Sequence, residues 1–167
     1  MTNQNFYVID TSSLIDLNKR YPIDVFPSLW QKVNALIAKG NLISCREVLK
    51  EISVKDDALR KWAVKQKGLF RELDIEQSKK VREILAKYPA LAQSETEVAA
   101  ADPFLIALAI VLSNDPQKTL GLNTKTHVVV TEEKLRGNKI KIPFVCQDYK
   151  IQCIPIIEMF RIEGWQF

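Results

Sequence analysis

The chain has 167 residues, 47% of them hydrophobic, enough for one ordinary core and short for two independent domains, so a single domain over 1–167 is expected. Its 24 basic and 20 acidic residues leave a net charge of +4 and a pI near 8.9, a mild excess that permits a polyanionic partner but is far from that of a histone-like binder. Three widely spaced cysteines (Cys45, Cys146, Cys153) and a single histidine, His127, argue against a disulfide framework, supply a zinc site poorly, and fit a reducing cytosol.

The N-terminus is polar for five residues and apolar for the next four, which predicts neither a signal peptide nor a membrane span and a cytoplasmic protein. Those four, Phe6-Tyr7-Val8-Ile9, are aromatic or β-branched and predict a short buried strand. They run straight into Asp10-Thr11-Ser12-Ser13, a carboxylate and three hydroxyls at the strand's C-terminal end, where open α/β sheets hold their ligands. Ser12 or Ser13 is expected to cap a short helix through Leu14, Ile15 and Leu17, ending near Arg20-Tyr21-Pro22. Phe26, Leu29, Trp30, Val33, Leu36 and Ile37 then recur at helical spacing, with Gly40 where a C-terminal cap belongs.

Leu42-Ile43 predicts a brief strand, and Ser44-Cys45-Arg46-Glu47 after it has the form of a capping box. One turn on, Glu51 flanks the Val48, Leu49 and Ile52 stripe with no cap to account for it, and is expected at the edge of a cleft. Residues 56–90 read as two amphipathic helices, one carrying Leu59, Trp62, Ala63 and Leu69, the other Val81, Ile84 and Leu85, stopped before Pro89. Their many basic residues invite a nucleic-acid reading, but neighbouring acids partly balance them and a solvated face is the favoured reading.

Ala100 to Leu112 is apolar on nearly every face, which predicts a central buried helix whose one charge is Asp102. Asp102 either aims inward with Leu105, Ile106 and Ala109, or caps the helix ahead of Pro103. Val128-Val129-Val130 predicts a second buried strand, and it ends in Thr131-Glu132-Glu133. Lys134, Arg136, Lys139 and Lys141 follow around a Gly-Asn turn, a segment suited equally to a phosphate backbone and to solvent. The chain closes with a turn or helix at Ile142–Cys146, an edge strand at Ile151–Ile154, and a helix over Ile156–Phe160 that Pro155 begins.

Strands alternating with helices predict a mostly parallel α/β sheet with a cleft at the strands' carboxyl ends. Asp10 and Glu133 belong at that rim, and Glu51 and Asp102 can converge on it from helices. Two carboxylates about 4 Å apart repel by roughly 4 kcal/mol at an effective dielectric near 20, so such a cluster requires protons or a cation. Oxygen-only ligands favour Mg²⁺ or Mn²⁺, which can activate water and neutralise charge developing on a phosphodiester.

Four stretches carry a family resemblance: Ile9-Asp10-Thr11-Ser12, Val48-x-x-Glu51-Ile52, Asp102-x-x-Leu105-Ile106-Ala107 and Val129-Val130-Thr131-x-Glu133. In that order they resemble the four acidic motifs of PIN-domain nucleases, over nearly the whole chain, and the Ile142–Cys146 and Ile151–Cys153 ending is similar to an uncharacterised PIN-like branch. The resemblance implies a three-layer α/β/α fold and Mg²⁺- or Mn²⁺-dependent hydrolysis of RNA. It further implies a VapC-like toxin paired with an antitoxin protein, in a family whose members are often homodimers. Residue by residue, Asp10, Glu51 and Asp102 match the metal-binding acids, and Thr11 or Ser12 the hydroxyl that orients the first. The fourth position departs from the usual aspartate: Glu133 is one methylene longer and Glu132 is an adjacent rival, which bears on a second metal. Thr131 reads as a hydroxyl supporting the strand end, and Lys134, Arg136 and Lys139 as contacts for the RNA backbone. The alternative is a PIN-fold module that binds RNA or protein and whose acids no longer turn over. A phosphotransferase of the haloacid dehalogenase type also starts with a strand-end aspartate, but it needs an acid two residues on, where this chain has Ser12.

Overall fold

Phe6–Ile9 forms β1, and all four of its side chains are buried, as befits a strand covered on both faces of a parallel sheet. The structure is a computed structural model that describes residues 4–114 and 126–167. Beyond β1 the elements are α1 (Thr11–Arg20), α2 (Pro27–Ala38), β2 (Leu42–Cys45), α3 (Arg46–Lys55), α4 (Asp57–Ala63), β3 (Phe70–Arg71) and α5 (Ile75–Lys87). A 3₁₀ turn at Pro89–Ala92 leads to α6 (Asp102–Ser113), β4 (His127–Val130), α7 (Ile142–Asp148), β5 (Cys153–Ile154) and α8 (Ile156–Ile162). The strands make one all-parallel sheet in the order β3-β2-β1-β4-β5, so the fold is α/β.

Connections between parallel strands are right-handed, which places α1 to α4 on one face and α5 to α7 on the other, a three-layer α/β/α arrangement. α6 lies against β1, β2 and β4 and packs on α5 and α7, and it buries Pro103 and every residue from Leu105 to Ile110. That accounts for its lack of a polar face. The order reverses between β1 and β4, paired from Phe6 with His127 to Ile9 with Val130, so the crevice above their carboxyl ends is the switch point of the sheet.

Three local expectations differ from the structure. Asp10, not Ser12 or Ser13, caps α1, because its carboxylate accepts the Thr11 N–H at 2.7 Å. Ser44 and Glu47 form no capping box: Ser44 lies in β2, and its hydroxyl donates to the Ile9 carbonyl at 2.6 Å, joining β2 to β1. The reciprocal box is formed instead by Asp74 and Gln77 at α5. The 56–90 stretch contains β3 as well as its two helices, with Leu69 buried just ahead of that strand. Gly40 ends α2 as expected, in the left-handed region at φ +73°.

Candidate functional site

Asp10 is fixed by the strand behind it and the helix ahead. Its N–H donates to the Val130 carbonyl at 2.9 Å, extending the β1–β4 ladder, and its side chain is 3% exposed. Besides the Thr11 amide on Oδ1, the carboxylate accepts the Ser12 hydroxyl at 2.7 Å and the Thr131 hydroxyl at 3.0 Å, both on Oδ2. Those hydroxyls also accept from the chain after β4, Ser12 from the Glu132 N–H at 3.1 Å and Thr131 from the Glu133 N–H at 3.2 Å. Thr11, Ser12 and Thr131 are therefore the struts that join the ends of β1 and β4 around one acid.

Glu51 has the structural partners that its sequence neighbourhood does not reveal. Its Oε2 accepts the Thr11 hydroxyl at 2.6 Å and its Oε1 the Ala101 N–H at 2.9 Å, so it bridges the two helical layers across the end of the sheet. Asp102 is the first residue of α6, and it is not the cap: that position is Ala101, which makes no side-chain bond. The Asp102 carboxylate lines the cleft and takes no hydrogen bond from a described residue. Glu132 and Glu133 divide their work. Glu132 Oε1 accepts from the Ile156 N–H at 2.8 Å and the Ser13 hydroxyl at 3.3 Å, seating α8, while Glu133 Oε2 accepts from the Ile142 N–H at 3.0 Å at the start of α7.

All four candidate acids line one cleft of about 1000 Å³ at the switch point. Burial pushes the Asp10 carboxyl up to about 6; the Ser12 hydroxyl opposes this, the Glu133 charge reinforces it, and Thr131 and the Thr11 amide oppose it again. Asp102 is pushed up to about 8, first by burial, then by the charges of Asp10, Glu133 and Glu51, with Lys141 pulling weakly the other way. Both glutamates line the cleft, and the charge of Glu133 is among the causes that raise Asp10 and Asp102. Among the described residues, however, no three His, Cys, Asp or Glu side chains are gathered closely enough to hold a metal ion. The acids repel one another across the cleft without being drawn into a cage. The donor chemistry fits Mg²⁺ or Mn²⁺, all oxygen with Asp102 unengaged.

The basic side chains of the cleft are Lys19, Lys55 and Lys141. Lys134, Arg136 and Lys139 are exposed and do not line it. Lys19 and Lys55 were legible in principle: Ser12, Ile15, Asp16 and Lys19 share one face of α1 at helical spacing, and Lys55 lies one turn beyond Glu51 on α3. Cys45 and Cys146 are buried free thiols, and Cys153 is half-buried. No described helix is long and apolar enough to cross a membrane.

These features define a parallel α/β protein with an acidic cleft at its topological switch point. The chain belongs to the family described as a domain of unknown function (DUF4411), whose model matches residues 7–167 and so includes every candidate site residue. Comparison with curated proteins finds no significant match.

Proposed function

We propose that the protein is a PIN-like, Mg²⁺- or Mn²⁺-dependent endoribonuclease that hydrolyses RNA phosphodiesters, with Asp10, Glu51, Asp102 and Glu133 holding the metal. The observation that carries this reading is the meeting in one cleft of four acids from four separate segments of the chain, one of which, Asp102, takes no hydrogen bond from a described residue. A helix-capping acid is quiet once its amide partner is found; an acid raised to about 8 by burial and then by three neighbouring carboxylates asks for a counter-charge. When bound, the cation would lower the pKa of water and neutralise charge on the phosphoryl group. The chain's own part is to hold the acids: Ser12 and Thr131 fix the orientation of Asp10, and Thr11 fixes that of Glu51. Cytoplasmic residence agrees with three free thiols, and pairing with an antitoxin and homodimerisation belong to the same reading.

The test is Asp10→Asn, assayed on labelled RNA with Mn²⁺. Cleavage is lost while the thermal unfolding transition remains cooperative; full activity in the variant would sink the mechanism. A second reading, a binding module on the same fold, is favoured by the lack of an assembled three-acid group among the described residues. It requires RNA or protein binding that is indifferent to chelation and no cleavage with either metal.

A further inference from the structure

Lys19, Lys55 and Lys141 share their cleft with seven acids, the four candidates together with Asp16, Glu95 and Glu132, yet none of the three ammonium groups makes an ion pair or hydrogen bond to a described residue. All three are exposed, so their charges stand at the mouth of the cleft, and Lys141 offsets only a little of the charge that raises Asp102. They also approach from opposite layers. Lys19 is in the last turn of α1 and Lys55 ends α3, whereas Lys141 immediately precedes α7. A chain of phosphates lying between them would cross the acids below.

The rest of the lining is equally informative. Between the charges stand Ile15, Leu91, Ile140, Gln93 and Ser94, and no Phe, Tyr, Trp, His or Arg lines the cleft among the described residues. Proteins that splay out single-stranded RNA bases to read them stack those bases on aromatic rings or guanidinium planes while hydrogen bonds read their edges. An ammonium is a point charge that engages a phosphate with little demand on geometry. Asp10 is buried at the floor, and a single strand, free to bend, is the form of RNA most able to bring a phosphate down to it.

We infer that Lys19, Lys55 and Lys141 form a phosphate clamp that holds one RNA strand by its backbone across the acidic floor without reading its bases. The clamp rests on the ribonuclease reading for the role of the floor, but it concerns binding and is measured apart from cleavage. It also moves the RNA contact away from the exposed Lys134, Arg136 and Lys139.

The experiment is fluorescence anisotropy with end-labelled oligo-U, oligo-A and oligo-C of about 12 nucleotides, a length within single-strand site sizes, in EDTA across a series of salt concentrations. Three phosphate contacts give a slope of log K against log salt of about −2. The three oligonucleotides bind within about threefold of one another, since backbone contacts weaken or strengthen all sequences alike. In the triple variant Lys19→Gln, Lys55→Gln, Lys141→Gln the slope falls toward zero and affinity drops for all three RNAs. The triple variant Lys134→Gln, Arg136→Gln, Lys139→Gln binds as the native chain does. Absence of RNA binding by the native protein overturns the clamp, as does a preference of about tenfold or more for one oligonucleotide, tighter binding of a duplex, or loss of affinity in the second triple variant and not the first. Cleavage with Mn²⁺ is scored separately. A clamp variant that binds normally while the native chain cleaves removes the clamp and leaves the nuclease; a clamp variant that loses binding while the native chain never cleaves does the reverse.

Discussion

If the cleft takes up the proposed cation, binding must expel protons, and the number follows from the two perturbed acids. Asp102 sits at about 8 and Asp10 at about 6 in the metal-free fold. At pH 7 a carboxyl of the first kind is roughly nine-tenths protonated and one of the second kind roughly one-tenth, about one proton together. A cation needs both as carboxylates, so that proton leaves on binding. Titration calorimetry with Mn²⁺ in two buffers of different ionisation enthalpy reads the release directly. The apparent affinity rises by roughly tenfold per pH unit between 6 and 8 and levels off above, where Asp102 is already ionised. In Asp102→Asn the release at pH 7 falls to roughly one-tenth of a proton. Equal heats in the two buffers, or an affinity flat from pH 6 to 8, would refute both the coupling of the acids and their assignment as ligands.

The same two groups set the stability of the metal-free chain. Both folded values lie above the unfolded 3.8, so the folded state holds protons that the unfolded chain has lost; the stabilisation is complete below about pH 4 and is lost as pH rises through 6 and 8. Urea unfolding in EDTA at pH 5 and at pH 8.5 shows the lower stability at the higher pH, and Asp102→Asn narrows the difference. Thr11→Val removes the 2.6 Å bond to Glu51 and leaves a buried carboxylate oxygen without its donor, at a cost of about 1–3 kcal/mol in a urea midpoint measurement. Glu132→Ala frees the first amide of α8 and lowers stability while leaving the Mn²⁺-linked proton release unchanged; Glu133→Gln alters the release and costs less in stability. Gly40→Ala forces a side chain into φ +73° and costs about 1–2 kcal/mol by thermal unfolding, with no steric contribution, since the added carbon would meet only Arg71 Nη2 at 3.8 Å.

How much of this was legible in the sequence depended on how far away each residue's partner lies. β1 with Asp10, β4 with Thr131 and Glu133, and α6 with Asp102 announce themselves because an unbroken apolar run ends beside an acid, and burial on both faces leaves no alternation to blur it. β3 has two residues and no pattern to show. The Ser44–Glu47 box failed because serine's preference for caps yields when a carbonyl 35 residues earlier, that of Ile9, is brought within 2.6 Å by strand pairing. Glu51 has no partner in its own sequence neighbourhood for the same reason: its donors lie 40 and 50 residues off, on α1 and ahead of α6.

That failure changes the weight of the site residues. Asp10, Glu51 and Glu133 each have hydrogen bonds that would justify an acid in a protein with no chemistry at all, since each holds two elements together. Asp102 takes none from a described residue; its place in the first turn of α6 suits a carboxylate to the helix dipole, yet burial and three other carboxylates raise its pKa all the same. The choice between a metal-dependent nuclease and an inert module on the same fold therefore turns on Asp102. If Asp102→Asn stabilises the metal-free chain above pH 8 while abolishing its stabilisation by Mn²⁺, the residue carries a folding cost that only a cation offsets. If the variant is stabilised and the native chain does not respond to Mn²⁺, the cleft is an acidic surface without a metal, and the nuclease reading fails with it.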